Sequence, residues 1–391
     1  MTGIDDFEVP RLTRRAALAR GAGGLAAAGG LAALLAACGG SSSSSSTAAG
    51  GSSGGGSSSG STTAATNQGS LTGTMTLLSY PGWYGPHEFA DFSKLHPGLK
   101  VKTAVTGTTG VAAQIAQIAN NPGSFDVSLA GVPVSSQMKL AGVLEPLDTA
   151  KIPNLKLVAQ QFRTALPLGI PTDFGKTGFG YRKDLIPERP TSWQDLIKLA
   201  PKYSGKITML KYDSDVQGSF LKALGYSINT TSMTELNAMQ KALLNLKPHL
   251  QAVLETDYSK ALIQGTALFA IDYDYDIAAA QQKNKNIVWV PPSEGMAGYL
   301  EGWVALKGSK HLGAVWDLMN YHLSPKPYAS FIDATGTAFV EGSNAFIEKS
   351  ITNNPSLKYS ASSLSKIEFE KYLGPQQVQI RGKLWEEFLA A

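Results

Sequence analysis

The chain has 391 residues, of which 34 are lysine or arginine and 30 are aspartate or glutamate, giving a net charge of +4. The charges are nearly balanced, and the sequence has no cluster of Lys and Arg. This argues against nucleic acid as a partner, because phosphate binding requires concentrated Lys and Arg. The single cysteine leaves no second thiol for a disulfide, so we expect stability to come from a sizeable hydrophobic core.

Residues 1–38 have the pattern of an export signal. Arg14 and Arg15 precede a weakly apolar, glycine-rich stretch that ends in Leu35-Ala36-Ala37-Cys38. The arginine pair suggests the twin-arginine route. The Leu-Ala-Ala-Cys ending resembles a bacterial lipobox, which implies that Cys38 is a lipid anchor. A transmembrane helix over 21–37 is disfavoured, since a span requires about 20 strongly apolar residues.

Residues 39–70 consist almost entirely of Ser, Gly, Thr and Ala. Such a segment buries too little apolar surface to offset the entropy of ordering, which predicts a disordered tether. The globular part is then expected to begin near Leu71 and to work outside the cytoplasm, in the periplasmic space or at the outer face of the membrane.

From Leu71 onward, short β-branched runs alternate with helical periodicity, which predicts an α/β fold in two lobes. Strands are predicted at 74–79, 100–105, 125–129, 206–210, 267–273, 287–290 and 302–306. Helices are predicted at 86–95, 111–119, 193–199, 216–224, 234–246, 277–282, 314–322, 327–334 and 384–390. Ser192 or Thr191 is expected to cap the helix at 193, and Asp213-Ser214-Asp215 the helix at 216.

No phosphate-binding or metal-binding motif is complete. Gly175-Lys176-Thr177 resembles the end of a phosphate loop, but Ile170 stands where the first glycine belongs, and we interpret the segment as a turn. A calcium-like spacing over 272–283 lacks its glycine and its terminal glutamate. The five histidines lack metal-ligand spacing. We therefore predict no cofactor and no enzymatic activity.

Aromatic residues and carboxylates recur together at the ends of predicted strands. The groups are Tyr80, Trp83 and Tyr84; Tyr212, Asp213 and Asp215; Asp272, Tyr273, Asp274 and Tyr275; and Tyr299 with Glu301. Ligands collect at strand ends in α/β proteins, so these groups are candidates for one cleft. Carboxylates beside aromatic faces suit an organic cation, through charge pairing and cation–π contacts of ~0.5–2 kcal/mol each.

The segment Ile170-Pro-Thr-Asp-Phe-Gly-Lys-Thr-Gly-Phe-Gly-Tyr181 resembles the crossover segment of the bacterial spermidine/putrescine-binding proteins. The similarity continues in order through Thr191–Leu196, Leu224–Ser227, Val288–Pro291 and Leu384–Phe388. It implies the two-lobed fold of type II periplasmic binding proteins, with a central ligand cleft and hinge crossings near 171–174 and 300–303. The implied lobes are 71–172 with 302–340, and 173–301 with 341–391.

The resemblance also implies the ligand residues. The aromatic box falls on Tyr80, Trp83, Tyr273 and Tyr299, the amine-clamping carboxylate on Glu301, and a second carboxylate on Asp215. A further aspartate of the family aligns with Tyr212 or, shifted by one, with Asp213, and a glutamine falls at Pro375 or, shifted, at Gln376. After Asp126, where the family often has a Ser and a Tyr that contact ligand, this chain has Gly131, Val132 and Pro133.

Together these features predict a monomeric, lipid-anchored substrate-binding protein that delivers a polyamine to the permease of an ABC importer. Two alternatives remain open. The first is a binding protein for another small solute, such as an amino-acid derivative, an opine-like compound or ferric iron. The second, less favoured, is an extracellular lipoprotein hydrolase.

Overall fold

The computed structural model describes residues 71–80, 83–105, 111–335, 339–358 and 361–391. The predicted export signal, tether and Cys38 lie outside these ranges. The strands are β1 Gly73–Ser79, β2 Leu99–Val105, β3 Val127–Leu129, β4 Ile170–Arg182, β5 Ile207–Leu210, β6 Leu250–Leu254, β7 Phe269–Tyr273, β8 Ile287–Val290, β9 Met296–Ala305 and β10 Ile367–Phe369.

The helices alternate with these strands, as the sequence predicts for an α/β fold. They are α1 Glu88–Leu95, α2 Val111–Ala119, α3 Val132–Leu140, α4 Gln160–Ala165, α5 Trp193–Leu199, α6 Asp213–Ala223, α7 Met233–Leu246, α8 Lys260–Gln264, α9 Asp274–Lys283, α10 Leu312–His322, α11 Pro325–Thr335, α12 Lys349–Thr352, α13 Ala361–Leu364 and α14 Pro375–Ala390. None of the helices in the described ranges is both long and apolar enough to cross a membrane.

The strands form one mixed, curled sheet in the order β2-β1-β3-β9-β4-β7-β5-β6, with β10 beside β9 and β8 beside β4. β1 pairs in parallel with β2 and β3, and β5 in parallel with β6 and β7. The two halves meet at β4 and β9, which are antiparallel neighbours in the middle of the sheet. The segments 171–174 and 300–303, where the resemblance implied the two crossings between lobes, lie on these two strands.

The interior contains two large hydrophobic clusters, one for each half of the sheet. The first surrounds Trp303 and Phe331, and the second surrounds Trp193 and Phe269. β4 contributes Phe174 to the first cluster and Phe179 to the second, so a single strand belongs to both cores.

The lobe boundaries inferred from the resemblance remain a proposal. The C-terminal segment 341–391 has buried side chains in both clusters: Ile347, Ile351 and Ile367 pack in the first, whereas Leu384, Trp385 and Phe388 pack in the second.

Two local predictions are wrong. Gly175-Lys176-Thr177 is not a turn but the middle of β4, a strand whose thirteen residues are all buried. A strand buried on both faces shows no alternation of polar and apolar residues, which hides it from pattern analysis. Asp213 and Asp215 do not precede their helix either. They lie in its first turn, after Tyr212 at the N-cap, where the helix dipole stabilises negative charge.

Other local predictions are confirmed. The side chain of Ser192 accepts a hydrogen bond from the backbone N–H of Asp195 at 2.9 Å and so caps α5. The predicted helices 111–119 and 193–199 have the bounds of α2 and α5. β9 begins six residues before its predicted start, so Tyr299 and Glu301 lie within a central strand and not ahead of one.

Candidate ligand-binding cleft

A cavity of about 330 Å³ lies between the two halves of the molecule, beside β9. It is called the cleft cavity below. The wall from the β1–β3 half is largely apolar: Val111, Leu129, Ala130, Val132, Pro133 and Val134. The facing wall is polar: Asp213, Ser214, Asp215, Asn229, Glu370, Lys371, Tyr372, Gln377 and Arg381. Tyr299 and Glu301 of β9 lie at the junction of these two walls.

Five of the nine predicted ligand residues line this cavity: Tyr80, Asp213, Asp215, Tyr299 and Glu301. The remaining four, Trp83, Tyr212, Tyr273 and Gln376, do not. The structure therefore brings five of the predicted residues together around one cavity, and a contact between any of them and a ligand stays a prediction.

Glu301 is held in position by a central strand. β9 is buried along its whole length, and Glu301 itself is only 3% exposed. Its Cγ would lie 3.9 Å from a Cβ added at Gly131, so the residue that begins the apolar wall passes close to the carboxylate.

Asp215 is fixed by two hydroxyl groups. The phenol of Tyr273 donates to one carboxylate oxygen, and the Thr177 hydroxyl donates to the other at 3.4 Å. Tyr273 stacks on Tyr275, with ring centroids 5.4 Å apart, and meets Tyr299 edge to face at 5.6 Å. Tyr273 therefore lies behind the cavity, where it orients both Asp215 and the ring of Tyr299.

Trp83 acts in the same indirect manner. Its indole N–H donates to the carboxylate of Asp173 at 3.2 Å, and its ring packs edge to face on Phe331 at 6.4 Å. This places Trp83 in the first hydrophobic cluster, where it ties the segment that follows β1 to the crossing strand β4.

The C-terminal helix α14 forms part of the polar wall, through positions next to the one that the resemblance implied. Gln376 is exposed, whereas Gln377 and Arg381, one helical turn apart, line the cavity. The Arg381 guanidinium donates to the carbonyl oxygens of Ile228 and Thr230 at 2.9 and 2.8 Å. Burial lowers the pKa of Arg381 by removing water from the guanidinium, and the nearby carboxylates of Glu370 and Asp213 oppose that shift.

The titratable residues of the lining carry more negative than positive charge. Asp213, Asp215, Glu301 and Glu370 face Lys371 and Arg381. An excess of carboxylates inside a partly apolar cavity attracts an organic cation, since a low-dielectric wall strengthens each charge interaction. The described residues hold no group of three or more His, Cys, Asp or Glu side chains arranged to bind a metal ion.

Residues 89–357 match the family model of bacterial extracellular solute-binding proteins. The chain belongs to this family. Its members bind solutes and are not enzymes, which makes the cleft cavity a candidate site for a bound solute.

A relative from Salmonella typhimurium, the spermidine/putrescine-binding periplasmic protein, is 23% identical over 259 residues, which cover 64% of this chain and 74% of the relative. Among solved structures, the spermidine/putrescine ABC transporter substrate-binding protein PotD of Streptococcus pneumoniae superimposes with a TM-score of 0.73 at 18% identity. That match covers 82% of this chain and 99% of PotD. A. tumefaciens MotA in complex with glucopine matches with a TM-score of 0.63 at 15% identity, covering 81% of this chain and 99% of MotA.

Proposed function

We propose that this chain is the extracytoplasmic solute receptor of an ABC importer, that it binds a polyamine-like organic cation between its two lobes, and that it passes this cation to a membrane permease. The observation that carries the proposal is the charge of the cleft cavity, where four carboxylates face two basic side chains beside the rings of Tyr80 and Tyr299.

The geometry suits a short amine. A cavity of about 330 Å³ is at the small end of the range typical of ligand pockets. The ammonium group pairs with Glu301, while aromatic rings and the apolar wall cover the methylene chain. Closing the lobes removes water from these contacts and strengthens the charge pairing, which gives the permease a ligand-dependent shape to recognise.

Transport energy would come from a separate ATPase subunit. Lipidation at Cys38 would keep the receptor near its permease. We therefore predict that a Cys38→Ala variant leaves the membrane fraction but retains its fold. A Cys38→Ala protein that remains in membranes after a high-salt wash would contradict the anchor.

The ligand is tested by calorimetric titration with putrescine and spermidine at pH 8. Glu301→Gln removes the buried carboxylate that pairs with the ammonium, so we expect binding to weaken by about 3–5 kcal/mol, a few hundredfold or more. The matched control is Glu386→Gln, because Glu386 is exposed on α14 and exposed charges contribute under ~1 kcal/mol. Wild-type protein that binds neither amine would exclude polyamines, and equal affinities of wild type and Glu301→Gln would exclude this site.

A second candidate ligand is an amine that also carries a carboxylate. Arg381 and Lys371 provide positive charge in the same lining, which a pure polyamine does not need, and the MotA structure contains glucopine. Including glucopine in the titration distinguishes the two classes. Binding of glucopine but not of putrescine would assign the second class.

A further inference from the structure

A segment near the C-terminus runs along the polar wall of the cleft cavity. It consists of residues 370–374, joins β10 to α14, and is called the strap below. Four of its residues line the cavity: Glu370, Lys371, Tyr372 and Leu373. The backbone N–H of Glu370 donates to the Gly298 carbonyl at 3.2 Å, so the strap leaves the sheet next to Tyr299 of β9.

The first residues of the strap are held by one amide side chain. Asn229, in the loop between α6 and α7, accepts from the backbone N–H of Lys371 at 2.8 Å and donates to the Phe369 carbonyl at 2.9 Å. Its amide also donates to the carboxylate of Glu368 at 3.1 Å. Asn229 therefore fixes the backbone on both sides of Glu370, where the strap begins.

Glu368 anchors this arrangement. Its carboxylate also accepts from the backbone N–H of Ile228 at 3.1 Å, from Lys222 Nζ at 3.2 Å and from the hydroxyl of Ser227. Burial raises the pKa of Glu368, but the donors outweigh it and hold the pKa below its ordinary value. Among the described residues, the cavity lining does not include Glu368, so this carboxylate acts on a ligand only through the groups that it positions.

The last residue of the strap is Gly374. Its backbone has φ 91° and ψ 165°, a conformation essentially restricted to glycine. A Cβ added there would meet nothing within 4 Å. A larger residue at this position would therefore act on the strap through the backbone alone.

Tyr372 is the aromatic residue that the strap contributes to the cavity lining. The other rings of the described lining, Tyr80 and Tyr299, pack with the first and the second hydrophobic cluster. Tyr372 is half-buried and packs in neither cluster, and within the part of the chain that the structure describes its side chain forms no hydrogen bond or ring contact. Its ring is thus available to a ligand without the loss of such contacts.

We propose that Tyr372 is a ligand-contacting residue whose ring covers the ammonium and methylene chain of the bound amine, and that Glu368 positions this ring through Asn229 and the strap. The opposite wall is aliphatic at Val132, Pro133 and Val134. An aliphatic wall only excludes water from the chain, whereas an aromatic face also attracts the adjacent cation. The inference rests on the proposed function and deepens it by naming a residue that determines affinity for an alkylammonium ion.

The contact is tested by calorimetric titration of the full-length protein with putrescine. Tyr372→Leu removes the ring and should weaken binding by about 2- to 30-fold, the range of one cation–π contact. Tyr372→Phe keeps a ring and should bind more tightly than Tyr372→Leu. The matched control is Phe346→Leu, because Phe346 is an exposed ring outside the cavity lining, and we expect its affinity to equal that of wild type. Equal affinities of wild type and Tyr372→Leu would overturn the inference.

The positioning role of Glu368 is tested in a double-mutant cycle. Glu368→Gln should weaken putrescine binding in the wild-type background and weaken it less in Tyr372→Leu, since the ring that it positions is then absent. Equal losses in the two backgrounds would overturn the positioning role, because a general loss of stability does not depend on Tyr372. Should Glu368→Gln fail to fold, Gly374→Ala replaces it in the cycle, with the same expected non-additivity.

The wild-type titration separates the inference from the proposed function. Wild-type protein that binds neither putrescine nor spermidine would overturn the proposed function and the inference together. Wild-type protein that binds an amine, with Tyr372→Leu binding it equally well, would overturn the inference alone.

Discussion

Gly175 shows how a single missing side chain shapes the cleft. An added Cβ would lie 2.3 Å from the phenolic oxygen of Tyr299 and 2.4 Å from its ring. The ring is itself held edge to face by Tyr273, so it has little freedom to move aside. Gly175, which belonged to the incomplete phosphate-loop pattern in the sequence, is therefore explained by packing. Its lack of a side chain leaves room for the ring of Tyr299, which lines the cavity.

We predict that Gly175→Ala displaces the Tyr299 ring, weakens ligand binding and lowers the free energy of unfolding by about 1–3 kcal/mol through overpacking. Gly382→Ala on α14 is the matched control, because a Cβ there meets nothing within 4 Å, and helix propensity should raise stability by roughly 0.5–1 kcal/mol. Thermal melts and calorimetry measure both effects. Unchanged binding by Gly175→Ala would show that Tyr299 is not a wall of the ligand site.

Among the secondary-structure elements, amphipathic helices and the strands β3, β5 and β7 were predicted from the sequence, whereas β4 was missed and only the end of β9 was predicted. Val111–Ala119 and Trp193–Leu199 show helical periodicity in the sequence and are found as predicted. β4 is buried on both faces, and its polar residues are satisfied by partners distant in sequence, such as Asp274 for Lys176. No local pattern reveals such partners. The sequence around Lys176 was therefore interpreted as a turn, although it lies in a strand.

The Lys176–Asp274 ion pair joins β4 to the start of α9. Both side chains are almost fully buried, and Lys176 Nζ also donates to the Ser356 carbonyl at 3.3 Å. We predict that Lys176→Met costs about 3–5 kcal/mol in unfolding free energy, because Asp274 is left buried without its cation. Lys176→Met combined with Asp274→Leu should recover part of that loss, with a coupling energy of about 0.5–3 kcal/mol in a denaturant double-mutant cycle. Strictly additive losses would show that the two charges do not stabilise each other.

For the candidate site, the sequence grouped carboxylates at three predicted strand ends. The structure places the carboxylates of two of these groups, Asp213 with Asp215 and Glu301, around one cavity. Arg381 and Gln377 were missed. Their spacing of one helical turn on α14 was a usable signal, but only the resemblance, through Gln376, indicated that the C-terminal helix returns to the cleft.

At the scale of the whole molecule, two cores joined by two adjacent strands predict hinge closure. β4 and β9 are the central connection between the halves, so a ligand that contacts both walls of the cleft stabilises the closed arrangement by its extra contacts there. The sole native cysteine makes this measurable. Once Cys38 is replaced by Ala, spin labels can be placed at chosen positions without background.

We predict that putrescine shortens the distance between labels at Leu140→Cys on α3 and Met233→Cys on α7, which lie in different halves and are both exposed in the wild-type chain. The control pair is Leu140→Cys with Leu95→Cys on α1. Both positions of that pair lie in the β1–β3 half, so their separation should not change. Pulsed electron paramagnetic resonance reports both distances. A constant distance across the cleft, in a protein shown by calorimetry to be saturated with putrescine, would mean that the cleft binds as a rigid body and that recognition by the permease does not depend on closure.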